Sequence, residues 1–113
     1  MQEKNYYNEK KKMSEKLLLM LMIGALYALK HNKITLEETE GLFFRPGVVN
    51  KLKRYGCDKD ILSAIEDGYV LENFQSLLPH LLDSQIDLKI QECMTLLTRY
   101  PEYYEAIWLE LFD

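Results

Sequence analysis

Residues 17 to 29, LLLMLMIGALYAL, form an unbroken apolar run of thirteen residues bounded by Lys16 and Lys30. Such a run must leave water, either into a bilayer, through an export channel or into the middle of a folded domain. As a helix it covers roughly 20 Å, against the roughly 30 Å of hydrocarbon that a membrane-spanning helix crosses. A secretion signal fits the length better, because Lys10, Lys11, Lys12 and Lys16 precede the run. Glu3, Glu9 and Glu15 dilute that basic segment, however, and Ala25-Leu26-Tyr27-Ala28 has the wrong spacing for a small-x-small cleavage site. The run is therefore read as the core helix of a cytoplasmic domain with no membrane contact. Apolar residues on every face imply that other helices surround it. Gly24, which costs about 1 kcal/mol relative to alanine in a helix, implies close approach of a second backbone.

The rest of the chain supplies the cover. Its 113 residues suit one domain, and 48% apolar with 28% charged residues is the balance of a folded protein. Cys57 and Cys93 form no CxxC pair and are expected free and buried. Residues 1–13 read as a flexible N-terminal segment, with Ser14 capping the first helix. Thr35-Leu36-Glu37-Glu38 is a capping box that starts a short second helix, which ends near Phe44 before Arg45-Pro46-Gly47. Val48, Val49, Leu52 and Tyr55 recur at helical spacing up to Gly56, a natural C-terminal stop. Asp58 is an N-cap for a fourth helix carrying Ile61, Leu62 and Ile65 and ending at Gly68. Residues 69 to 75 read ambiguously. Pro79 opens a long helix whose stripe is Leu82, Ile86, Ile90, Cys93 and Leu97, and Pro101 opens a last helix through Phe112. No segment alternates with period two. The expectation is an all-α fold over residues 14–113, an irregular orthogonal bundle of about five to six helices around the buried first one.

Motifs of chemistry are sparse. His80 with Asp83 and Asp87 could share a helix face, and His31 lies at a helix end, but zinc sites recruit more nitrogen or sulfur in tighter spacing. Glu37, Glu38 and Glu40 sit in a short turn where capping and solvation account for them. No phosphate loop, dinucleotide fingerprint, HExxH or nucleophile elbow is present. The expectation is a non-enzyme with no cofactor and no metal.

Charge is more informative. Residues 1–59 carry twelve Lys/Arg and seven Asp/Glu, a net +5, whereas residues 60–113 carry two and eleven, a net −9. Arg45, Lys51, Lys53, Arg54 and Lys59 cluster around the third helix and form the one nucleic-acid footprint in the chain, although a pI near 5.2 argues against that use. In the last helix, Tyr104, Ile107, Trp108 and Leu111 share one face and are expected to point inward. Glu102, Tyr103, Glu105, Glu110 and Asp113 are then left toward water. Carboxylates with an exposed tyrosine suit a surface that meets a basic protein, since aromatics supply binding energy and charge steers the encounter.

The segments Ile34-Thr35-Leu36-Glu37-Glu38-Thr39-Glu40, Leu42-Phe43-Phe44-Arg45-Pro46 and Gly68, followed by Leu71-Glu72-Asn73 and Ser76-Leu77-Leu78-Pro79, resemble a family of short, functionally uncharacterised bacterial proteins. The resemblance spans about residues 17 to 90, and the chain departs from the pattern at Asn73, where the pattern carries an acid, and at Arg45. It implies a cytoplasmic bacterial protein, makes immunity proteins of toxin gene clusters the comparison class, and gives Pro46, Gly68 and Pro79 structural roles. The functional expectation is a protein-binding helical domain, immunity-like or regulatory, whose acidic C-terminal half is the partner surface. Nucleic-acid binding through residues 45–59 is the alternative, and a homodimer is a further expectation, because a small apolar-rich bundle leaves a face in need of cover.

Overall fold

The computed structural model describes the backbone of residues 2–113 and the side chains of residues 8–113. Among these the protein is all-α. The long first helix, α1 (Gln2–Lys30), covers about 43 Å at 1.5 Å per residue, in a molecule whose longest dimension is 52 Å. It is followed by α2 (Leu36–Thr39), which runs into a π-helical turn (Glu40–Phe44), then α3 (Pro46–Tyr55) and α4 (Lys59–Glu66). A 3-10 turn (Asp67–Tyr69) leads to α5 (Val70–Leu77), and another (Pro79–Leu81) leads to α6 (Leu82–Leu97). The chain closes with a 3-10 segment (Ile107–Phe112).

The punctuation is where side-chain chemistry puts it. The Thr35 hydroxyl accepts from the Glu38 amide at 3.0 Å, and the Asp58 carboxylate accepts from the Asp60 amide at 2.8 Å, so each satisfies an orphan donor at a helix start. Pro46 occupies the first turn of α3, and Gly56 adopts φ +86° after its end, a conformation that costs glycine nothing. Helix α1, by contrast, begins at Gln2, so Ser14 is an interior residue and not a cap. Of the segment 1–13 read as flexible, Met1 and the side chains of residues 2–7 lie outside the described residues.

Helix α1 pairs antiparallel with α6. At one end the Lys30 ammonium meets Asp87 at 2.8 Å; at the other the Tyr100 hydroxyl donates to Glu15 at 2.9 Å and Lys16 donates to the Pro101 carbonyl at 2.7 Å. Leu19, Met22 and Leu26 are fully buried on the inner face of α1, with Ile86 and Cys93 of α6 opposite and Leu82, Ile90 and Leu97 packed on the same core. Val49 of α3, Ile61 and Ile65 of α4 and Leu71 of α5 close the other side. Cys57 and Cys93 are free and buried, and burial pushes each thiol up to about 11, so neither offers a thiolate near neutrality.

Two polar residues tie the elements. The buried Glu15 carboxylate accepts from Tyr100 and also from the Asp58 amide at 2.9 Å, which joins α1, the start of α4 and the end of α6. The buried Lys89 ammonium donates to the Ala64 carbonyl at 2.9 Å and to Glu92 at 3.1 Å, placing a cation at the negative end of α4.

The crowded glycine is not the one expected, and what crowds it is a side chain and not a second backbone. Nothing lies within 4 Å of a Cβ built on Gly24, which faces solvent. A Cβ on Gly68 would sit 2.3 Å from the ring of Phe44. The wide turn at residues 40–44 lets consecutive Phe43 and Phe44 both reach the core, and Gly68 makes room for the second ring.

Two outcomes follow. Gly68→Ala should lose about 1–3 kcal/mol in urea denaturation, as overpacked sites do, and Phe44→Leu in the same chain should recover part of it. Additive effects of the two changes would contradict the packing account. Secondly, burial first, and the hydrogen bond to Glu15 second, hold the Tyr100 phenol above its ordinary value of 10.0. A folded-state value raised above the unfolded one means that this stabilisation is complete below about pH 10 and is lost as pH rises beyond it. Between pH 9 and 11.5 the wild-type urea midpoint should therefore fall more steeply than that of Tyr100→Phe; parallel curves would show that the clamp does not operate.

Candidate interaction surface

The segment after α6 was expected to be a helix and is not one. Residues 101–106 are irregular, and only Ile107–Phe112 turn, as 3-10 helix. Local hydrogen-bond competition accounts for this. The Pro101 carbonyl, which would accept within an α-helix, is taken by the Lys16 ammonium, and the Glu102 carboxylate is engaged by the Tyr104 hydroxyl. The segment lies along α1 and packs its own way. Tyr103, expected toward water, is partly buried with its ring 5.6 Å from the Lys16 ammonium. Its hydroxyl is enclosed and has no hydrogen-bond partner among the described residues. Burial, with Glu9 and Glu15 nearby, pushes that phenol up.

The inward face predicted for the segment is also corrected. Of its four residues only Ile107 is partly buried; Tyr104 is 89% exposed, Leu111 77% and Trp108 48%. Phe112 is 77% exposed, and its ring meets Trp108 edge-on at 5.9 Å. Amphipathic spacing failed as a guide because it presumes the α-helical period that the segment does not adopt. The result is a surface of large apolar side chains flanked by acids. Glu102, Glu105, Glu110 and Asp113 are all exposed. Glu110 pairs with Lys10 at 3.1 Å, whereas no partner is found for Glu105 or Asp113 among the described residues.

Between this segment and α1 runs an apolar groove of about 370 Å³, lined by Met13, Leu17, Met20, Leu97, Ile107 and Trp108, with Lys16, Tyr103 and Glu105 as its polar rim. The groove explains the burial of Met13, which lies on the outward side of α1, away from Leu19, Met22 and Leu26. Beyond Trp108 the same outward side of α1 is open, and Met20, Leu21 and Tyr27 are about half exposed. The expectation that helices surround the apolar run therefore holds for its inner face; on the outer face Leu17 has the C-terminal segment beside it, and from Met20 onward that face is about half exposed.

The basic residues are arranged differently. Arg45, Lys51, Lys53, Arg54 and Lys59 are all exposed, along α3 and at the start of α4. Lys53 is neutralised by Glu66 at 3.1 Å, and Lys11 of α1 comes beside Gly56, close to the end of α3. His31 packs against Tyr27 with ring centres 4.4 Å apart and the rings tilted, and Asp87 is engaged by Lys30, whereas His80 and Asp83, the other two groups considered with Asp87, are exposed. Among the described residues no group of three His, Cys, Asp or Glu side chains is placed to hold a metal ion, and no helix is long and apolar enough to cross a membrane. Glu40 departs from the solvated reading given to its trio: burial, with Glu72 and Glu37 adding, pushes its carboxyl up.

A family model described as a protein of unknown function, DUF3969, matches residues 9–110. The chain belongs to this family. The match covers α1 from its third turn, every later helix and the C-terminal segment as far as Glu110, so the groove falls within the family's shared extent. No curated protein and no solved structure matches the chain.

An enclosed hydroxyl with nothing to bond to is a cost, since it leaves water without compensation. Tyr103→Phe should leave stability unchanged or raise it by up to about 1 kcal/mol in chemical denaturation, a sign opposite to that of most core changes. A loss above that size would mean that the hydroxyl is bonded in solution.

Proposed function

We propose that this protein is a non-enzymatic, protein-binding helical domain, immunity-like or regulatory, whose C-terminal segment meets a basic partner. The observation that carries the reading is the exposure of Tyr104, Leu111 and Phe112, each more than three-quarters, in a segment that also carries Glu105 and Asp113, whose carboxylates have no partner among the described residues. Exposed aromatic and aliphatic side chains supply the desolvation energy of a contact, and acids in the same segment select and steer a partner of opposite charge. Glu102 and Tyr103 support the segment from within through Tyr104 and Lys16. Four of the eleven acids of residues 60–113, Glu102, Glu105, Glu110 and Asp113, fall within this segment, which supports the same reading.

Nucleic-acid binding through Arg45, Lys51, Lys53, Arg54 and Lys59 is the second reading. It draws on Lys51 and Arg54, exposed on α3 with no carboxylate partner among the described residues, and on Lys11 close by. Phosphate engagement would appear as a gel shift with duplex DNA at low salt that is lost steeply as salt rises.

A photo-crosslinking residue at Tyr104 or Leu111, introduced in the native host cell, should trap one partner that a probe at Gln91 on α6 does not. Reversing Glu102, Glu105 and Asp113 to lysine should weaken capture, mainly by slowing association, by at least about tenfold. Phe112→Ala should cost about 2 kcal/mol of affinity, roughly thirtyfold, as buried aromatic anchors do. Capture indifferent to both changes would remove this surface from consideration.

A further inference from the structure

We infer that residues 101–113 are a releasable segment whose partner-bound form is an amphipathic α-helix, laid by its apolar face into a basic-rimmed groove of another protein. This rests on the reading that the segment meets a basic partner, and names the form in which it does so. The sequence holds a second conformation that the docked segment leaves unused. Pro101 suits a first helical turn, Glu102 and Glu105 suit its positive end, and Tyr104, Ile107, Trp108 and Leu111 recur at i, i+3, i+4 and i+7. At about 100° per residue those four share an arc about 100° wide, with Phe112 at its edge. Glu102, Glu105, Glu110 and Asp113 all fall outside that arc, and Leu109 is the one aliphatic side chain among them.

In the docked form this face is divided. Ile107 is partly buried, Tyr104 and Leu111 face water, and Trp108 is half exposed. The hold on α1 is slight, because no residue of the segment is fully buried and only Tyr103 and Ile107 are partly so. The amides of residues 102–106 donate no hydrogen bond among the described residues, and Ile107–Phe112 is a 3-10 helix longer than such helices usually run. The polar attachments are the exposed ion pair of Lys10 with Glu110 and the Lys16 bond to the Pro101 carbonyl. The enclosed Tyr103 hydroxyl opposes docking. A unit with so little burial and so few bonds opens far more often than the core does. Tyr100, held by Glu15, marks where the opening stops.

Local preference and docked conformation disagree here, and such conflict marks a segment with a second state close in energy. A helix of this length is marginal in water, so it forms only where a partner covers its apolar face. Charge sets the kind of partner. Every charged side chain from residue 101 to 113 is a carboxylate, so the groove that fits has an apolar floor and a basic rim.

Ala106→Pro separates the two forms. Ala106 has a φ of −86°, near the value proline fixes, and its amide donates no bond among the described residues, so the docked segment tolerates the change and a helix interior does not. With the photo-crosslinking residue at Tyr104 of the full chain, in the native host cell, Ala106→Pro should cut capture at least about thirtyfold and leave the melting temperature unchanged. Lys16→Ala loosens the attachment, so it should speed amide exchange across residues 101–113, leave that of α6 unchanged and raise capture. A partner of the docked surface would lose affinity from that change, because Lys16 holds the surface in place. In about 15% trifluoroethanol, without any partner, residues 102–112 of the full chain should show helical carbon chemical shifts that Ala106→Pro abolishes. Capture indifferent to Ala106→Pro, shifts that stay irregular, or amides of 101–113 that exchange as slowly as those of α6 would each overturn the inference and leave the acidic surface standing. No capture by the unaltered segment removes both.

Discussion

The fold is organised by the need to cover both sides of one helix. Leu19, Met22 and Leu26 remove their surface from water only if α6 and the short helices stay packed on them, and each such side chain contributes about 1.5–3 kcal/mol when fully buried. The pairing with α6 is fixed at both ends by polar contacts, Lys30 with Asp87 and Glu15 with Tyr100. Exposed ion pairs such as the first add little to stability. Glu15 differs, because its carboxylate is buried and its two acceptor bonds hold the start of α4 as well as the end of α6. Removing it would strand the Asp58 amide and the Tyr100 hydroxyl together.

Local chemistry made much of this legible in advance. Thr35, Pro46, Gly56, Asp58 and Pro79 act on the backbone within a turn of themselves, so their effects do not depend on distant packing, and each stands at the boundary it marks. The stripe of α6 was legible for the same reason, since a helix long enough to have a face reports its core by period alone. Gly24 and Gly68 show where that reasoning stops. Both are glycines in helical surroundings, and only the position of Phe44, set by a π-helical turn that no sequence pattern announced, distinguishes the crowded one from the open one. Lys89 was invisible too: a lysine beside Ile90 reads as solvated until Ala64 is known to present a carbonyl to it.

The C-terminal segment was misread for a physical reason that bears on function. Tyr100-Pro101-Glu102 has the marks of a helix start, and the following residues have an α-helical face. Yet residues 101–106 run as irregular chain beside α1, where Tyr103, Glu105, Ile107 and Trp108 line one groove with Met13 and Leu17 and cover them in part. The cover comes at the expense of the segment's own amphipathicity. Tyr104, Leu111 and Phe112 are turned outward because Tyr103 and Ile107 are needed inward, and candidate residues for a partner surface were obscured by the same trade that closes the core.

The segregation of charge along the chain has a structural consequence as well. Basic α1 is bridged to the acidic C-terminal half three times, by Lys10 with Glu110, Lys16 with the Pro101 carbonyl and Lys30 with Asp87. Oppositely charged halves therefore favour the antiparallel registration that the apolar stripes also demand, and a parallel or slipped pairing of α1 and α6 would set lysine against solvent and carboxylate against carboxylate. Two levels of the sequence, apolar period and charge order, select one topology. Among the described residues Asp67, Glu72 and Asp83 of this half have carboxylates without a partner, as Glu105 and Asp113 do, but only the last two lie in the segment that also exposes Tyr104, Leu111 and Phe112. That local coincidence of unmatched charge with exposed apolar area is what supports the contact surface proposed there over scattered hydrophobic residues on an ordinary exterior.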